Sequence, residues 1–283
     1  MRFLMRLYQD KFAFCCFVIL CLIGMMGLLA EQITAFDPTV TNIREKYQAI
    51  SQLHWLGTDN LGRDIFSRLI FGIRTTVFYA VIAMVVTLLI GAVVGMSAGL
   101  LGQKVDNVLM RLCDIMLSFP AEVMILALVG ILGAGIDHIL LAIVCVKWAW
   151  YARMIRGIVL QHTHKNYVLF AKTVGSSYLH LLIRHLLPVT LAELVILGTA
   201  DIGSVILMIS ALSFLGLGVQ PPIPEWGNML ADAKNIMVLH PEQMSPAGLS
   251  IVVVVMAFNS FGDFLRDYFG RNNEGDDEYF ADR

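Results

Sequence analysis

Apolar residues run through this chain in blocks longer than a soluble core uses. Stretches with few or no charges occupy residues 12–30, 75–101, 109–132, 139–156, 186–215 and 247–264. A hydrocarbon layer about 30 Å thick is crossed by roughly 20 apolar helical residues. The pattern therefore predicts an all-α membrane protein with six transmembrane helices. The first block is longer than the apolar region of a usual signal peptide and has no convincing small-x-small cleavage site, so a retained helix is expected.

Polar intervals set the orientation. Thirteen lysines and arginines fall on the side of the two termini and five on the other, which by the positive-inside rule predicts both termini in the cytoplasm of a multi-pass cell-membrane protein. Two external loops follow, 31–73 and 216–246, and the longest internal loop is 157–185. The chain divides into an N-terminal helix with its external segment (1–72), a five-helix core (73–269) and an acidic tail (270–283) expected to be disordered.

Composition agrees, with 58% hydrophobic and 15% charged residues and a mean hydropathy of +0.73. A net charge of −2 without a basic face excludes nucleic acid as a partner. The five cysteines have no CxxC or metal-like spacing and read as small buried apolar residues. There is no G-x-x-x-x-G-K-[ST], no H-E-x-x-H, no nucleophile with a base and no paired catalytic carboxylates. The chain is thus expected to be no enzyme, to need no cofactor, and to take energy from another subunit.

Charges inside the blocks are costly and therefore informative. They are Asp114, Glu122, Lys147, Glu193 and Asp201. Asp201, mid-block, either lines a solute path or holds two helices together by a buried hydrogen bond; Glu193 is a second path candidate or a packing partner. Lys147 either snorkels or pairs with an acid, Asp201 among them. Gly198, Ala200, Gly203 and Ser204 would leave room along a path. His54, His138 and His240 fall in three separate outer loops and read as surface histidines, so no metal ligand is assigned.

In the external segment "GTDNLGRD" carries turn and capping residues, Asp59 and Arg63 among them, and Asp64 is placed to cap a helix starting at Ile65. In "VQPPIPEWG" three prolines stiffen the chain, and Trp226 is expected at the membrane interface. Asp59, Arg63, Asp64 and Trp226 are candidates for an external gate or binding-protein contact; the plainer reading is a structural plug.

In the internal loop, Val168, Ala171, Gly175, Tyr178, Leu179 and Leu182 recur at spacings of three and four, which predicts a helical stripe over 168–182. Ala171 and Gly175 would leave a gap on one face, and Pro188 would push Leu187 out of the helical region and bend the chain. Such a segment is either a handle for a cytoplasmic partner or an amphipathic helix lying on lipid headgroups.

The residues 169–188, "LFAKTVGSSYLHLLIRHLLP", resemble the coupling loop of ABC-importer permeases: Ala171, Gly175 and Pro188 match, while Leu169 and Phe170 stand where glutamate and alanine are usual. "HWLGTDNLGRDIFSRLIFGIR", "VDNVLMRLCDIMLSFP", "SFLGLGVQPPIPEWGNMLADA" and "MAFNSFGDFLRD" resemble the C-type permeases of dipeptide, oligopeptide and nickel importers. The resemblance implies a type I importer permease fold, a second permease, two cytoplasmic ATPases, an extracytoplasmic binding protein, surrounding lipid, and coupling through Phe170, Ala171, Lys172 and Gly175. "KWAWYARMIRG" resembles the nickel-type members, implying nickel or a metal chelate as cargo, with di- or oligopeptide as the alternative. A channel or secondary transporter without ATP is the rival class.

Overall fold

The computed structural model describes residues 2–234 and 236–281, without the side chains of Arg2, Lys172 and 271–281. Of the tail expected to be disordered, 270–283, the side chains of 271–281 and the whole of residues 282 and 283 lie outside the described residues. An N-terminal helix, α1 (Arg2–Gln9), leads into α2 (Lys11–Leu28). Asp10 caps α2, its Oδ1 accepting from the amides of Phe12 and Ala13 at 3.2 and 3.0 Å. Arg74 closes the other end, donating to the carbonyls of Gly27 (2.7 Å) and Leu28 (3.1 Å), groups a helix terminus leaves orphaned.

The second block is longer than its apolar core suggests. Asp64 Oδ2 accepts from Ser67 N at 2.7 Å and so starts the helix at Ile65, as its position predicts. The rod α3 (Ile65–Leu100) continues through a π turn at Arg74–Phe78. The third block is not one helix. It is α4 (Gln103–Leu117) and α5 (Ala121–Leu132), bent by 80° around Pro120. A proline lacks the amide that would continue the ladder, whereas it fits the start of a new helix.

Then come α6 (Ile136–Thr163), α7 (Asn166–Thr173), α8 (Tyr178–Phe214), α9 (Trp226–Lys234) and α10 (Ser245–Ala281). Among the described residues five helices are long and apolar enough to cross a membrane, six when the bent pair counts as one span. Pro188 does not break α8. Leu187 is helical (φ −58°, ψ −45°), and a π turn at Leu182–Leu186 precedes the proline. A π turn shifts the hydrogen-bond register locally, so the helix runs on through the missing amide.

The core is built on α3 against α6 and α8 against α10. Gly91, Gly95 and Gly99 recur every four residues along the α3 face that meets α6, a spacing that lets two membrane helices approach closely. A Cβ at Gly95 would sit 2.4 Å from Ala152 O, and one at Gly91 2.6 Å from Tyr151 Cβ. Gly198 and Gly203 do the same work on α8, against Leu88 and against Val255 with Asn259. They are helix contacts, not the room along a path that their size suggested. Outward faces stay apolar, with Leu89, Val93 and Ile131 well exposed.

Candidate functional site

Three clusters of polar side chains stand out, one joining the loops 31–73 and 216–246, one midway along the helix bundle and one around the loop 157–185.

The loops 31–73 and 216–246 lock into one unit. Gly57 and Gly62 turn the chain at φ +75° and +73°, and a Cβ at Gly62 would lie 1.8 Å from Asn42 O, so only glycine fits. That turn presents Asp59, whose Oδ1 accepts from the amides of Leu61 and Arg63 at 2.8 and 2.9 Å. Arg63 donates from Nε to Asp59 Oδ2 at 2.6 Å and from Nη2 to Asp232 Oδ2 at 2.9 Å. Arg68 Nε lies 3.6 Å from the same Asp59 oxygen. Both arginine side chains are 1% exposed, so each guanidinium needs these carboxylates. Gln243 Nε2 adds a bond to Thr58 O at 2.9 Å.

Burial revises two expectations here. His54 is not a surface histidine: it is buried, stacked on Phe36 at 4.7 Å, with Nδ1 2.9 Å from Asp64 Oδ1. Trp226 does not stand on the surface either; it is 2% exposed, its Nε1 donates to Leu69 O at 2.9 Å, and it covers Gly72. Asp59, Arg63, Asp64 and Trp226 all point inward. They brace the two loops from within and expose little of themselves. Truncating so large a buried ring costs about 3–5 kcal/mol. Trp226→Ala is therefore expected to lower the melting temperature of the detergent-solubilised chain by several degrees.

Glu225, beside it, was not singled out from the sequence, although an acid just ahead of a helix is a capping signal. It is fully buried. Oε1 accepts from Thr76 Oγ1 (3.1 Å) and Ser210 Oγ (3.4 Å), and Oε2 from the Asn228 amide (2.8 Å). Burial raises its carboxyl above the usual range. A raised acid stabilises the fold while protonated, so this contribution is lost as pH climbs through the raised value. Glu225→Gln is expected to keep the fold and flatten that dependence in thermal melts across pH, whereas Glu225→Ala, which orphans the three donors, is expected to be less stable at every pH.

Within the membrane the structure brings Lys147 and Asp201 together, with Nζ 2.6 Å from Oδ2. Tyr151 donates its hydroxyl to the same carboxylate. Ser204 accepts from Lys147 at 2.9 Å and donates back to Asp201. The site joins α6 to α8 and borders a cavity of about 420 Å³. Tyr151 was missed in the sequence, where it stands in an aromatic run. Glu193 does not join: it lies on the same helix roughly 12 Å away and does not line that cavity. Asp114 instead pairs with Arg153. Among the described residues no three His, Cys, Asp or Glu side chains could hold a metal ion.

In the third cluster α7 is shorter than the predicted stripe. It ends at Thr173, and Gly175 adopts φ +84° while the Ser176 amide reaches Ala171 O at 3.0 Å. This is a glycine-terminated helix end, and Ser177 then caps α8 through the His180 amide at 3.3 Å. Gly175 therefore shares no face with Ala171, and the expected gap does not form. Ala171 is buried against α6 and α8 beside Val168, Val159 and Leu186, while Phe170 is 71% exposed. The side chain of Lys172 is outside the described residues. Arg156 clamps α6 to α4 with two bonds to Asp106, both 2.5 Å.

Residues 91–274 match the family described as binding-protein-dependent transport system inner membrane component. The metal-staphylopine import system permease protein CntC of Staphylococcus aureus is 43% identical over 94% of this chain and 92% of its own length. The nickel transport system permease protein NikC of Escherichia coli is 38% identical over 89% and 91%. A dipeptide transport system permease protein, DppC of Alkalihalophilus pseudofirmus, is 35% identical over 93% and 86%. In fold the chain is similar to the MetNI methionine ABC transporter in inward-facing form, with a TM-score of 0.51 at 16% identity over 70% of this chain and 97% of that one. A bent pair within a bundle of apolar helices, a short helix ended by glycine and a match over most of the length place the chain in the binding-protein-dependent transport system inner membrane component family, in its dipeptide, oligopeptide and nickel branch.

Proposed function

We propose that this chain is one of two permease subunits of an ABC importer for nickel or another transition metal, delivered as a chelate. The observation that carries the cargo is the likeness itself: two relatives named for metal import align along 94% and 89% of this chain. The dipeptide permease is nearly as similar at 35%, which keeps a peptide as the second reading.

In this account both termini are cytoplasmic and α7 is the coupling helix. Its exposed Phe170, with Lys172 beside it, enters a cleft on an ATPase subunit, while buried Ala171 transmits movement to α6 and α8. ATP binding draws the two ATPases and the coupling helices together and turns the path outward; hydrolysis resets it. The external unit braced by Asp59, Arg63, Asp64 and Trp226 shapes the surface that receives the binding protein.

The test is uptake of labelled nickel by cells with the chain deleted and restored, with and without a chelator and with excess dipeptide. Chain-dependent uptake that survives the dipeptide is expected. Nickel entry indifferent to the chain, with peptide-dependent growth that requires it, would replace metal by peptide as the cargo.

A further inference from the structure

The 420 Å³ cavity beside α6 and α8 has an uneven charge. Its described lining carries two cations, Lys147 and Arg266, and one carboxylate, Asp201. Arg266 has an acid nearby, Asp263 at 3.6 Å, but that pair is widely exposed and Asp263 is outside the lining. A bare divalent cation entering this space meets a surplus of positive charge. A solute carrying carboxylates does not.

The pair at its wall is built so that it can open on one side. Asp201 holds three donors, Lys147, Tyr151 and Ser204. Without the lysine it keeps both hydroxyls, so its charge stays hydrogen-bonded. Among the described residues Lys147 has Asp201 and Ser204, and losing the acid without replacement would leave a cation without a counter-charge on a side chain 16% exposed, which is costly. A second carboxylate removes that cost by exchanging like for like. The side chains are 16% and 29% exposed, so the cavity can reach both.

From these observations we propose that Lys147 reads the cargo: its ammonium passes from Asp201 to a carboxylate of the solute, so the path accepts carboxylate-bearing small molecules and disfavours bare metal ions. Asp201 with Tyr151 and Ser204 is the resting partner that holds the lysine in place between cargoes. This rests on the chain being an importer permease whose path runs along the cavity, yet it holds for a metal chelate and for a peptide alike, because both present carboxylates.

The experiment uses the complete transporter in cells and compares two nickel chelates that differ by one group, nickel with L-histidine and nickel with histamine, which lacks the carboxylate. The binding protein is the same throughout, so a change of preference between variants belongs to the permease. Wild type is expected to favour the histidine complex. Lys147→Gln is expected to reduce that preference at least tenfold, towards unity, while Lys147→Arg retains it. A structural strut predicts something else: both chelates fall together and the ratio holds, which overturns the proposal, as does faster uptake of nickel chloride than of either chelate. If Lys147→Gln fails to accumulate in the membrane, the neutral pair Lys147→Gln with Asp201→Asn carries the same ratio test. Should wild type carry glycylglycine and no nickel, the metal reading fails, and the ratio of glycylglycine to its amide decides this one. Uptake of none of these solutes overturns both.

Discussion

Replacing Gly95 by leucine is expected to leave no assembled transporter. A Cβ alone would sit 2.4 Å from Ala152 O and 2.9 Å from Ile155 Cβ, where neither a rotamer change nor a small shift makes room. The two helices would have to part, and the same face holds Gly91 against Tyr151 and Gly99 against Val159. Overpacking a dense core costs typically about 1–3 kcal/mol, and here separation also forfeits the close packing that holds membrane helices together without a hydrophobic drive. The measurement is the size-exclusion profile of the detergent-solubilised complex, expected to lose its main peak. Gly130→Ala is the control, because nothing lies within 4 Å of that position, and it is expected to behave as wild type. A normal peak for Gly95→Leu would mean that the α3–α6 contact is wrong.

The second large effect is expected at the inner helix. Gly175→Val places a β-branched residue at φ +84°, a left-handed conformation that costs an ordinary residue roughly 1–2 kcal/mol and a branched one more. Open space surrounds Gly175, so packing is not the objection. The strain moves the end of α7 and with it the exposed Phe170. Membrane level should stay near normal, while uptake falls below about a tenth of wild type, the reduction expected when coupling geometry is lost by an ångström or so. Phe170→Ala should behave similarly without backbone strain. Unchanged uptake in both would remove α7 from coupling and favour a transporter that needs no ATPase.

Much of this architecture is readable in the residues because lipid admits few solutions: backbone groups must be satisfied within helices, so long apolar blocks become spans. The bend at Pro120 is not legible in the hydropathy, which is continuous across it; only the missing amide marks the break. The extent of α7 is hidden in the sequence for a related reason. Three- and four-residue spacing continues from Val168 to Leu182, but Gly175 at positive φ ends the helix and Ser177 starts the next, and a periodic pattern does not register a cap. The Lys147–Asp201 pair was within reach of the sequence because two opposite charges in adjacent apolar blocks each need a partner. Its third member, Tyr151, was hidden by the aromatic run around it. The external brace was legible as turn residues and not as a network, because Arg63 and Asp232 meet across 169 positions of sequence. Burial therefore changed the reading of Trp226 and His54 from surface to core.

The most direct test of the central claim is uptake into proteoliposomes holding this chain with its partner permease and the two ATPase subunits, supplied with binding protein and labelled nickel–histidine. Accumulation that requires ATP on the ATPase side, and that disappears when the ATPases are omitted, is the predicted result. Nickel flux that proceeds without ATP would contradict it and make the chain part of a passive path.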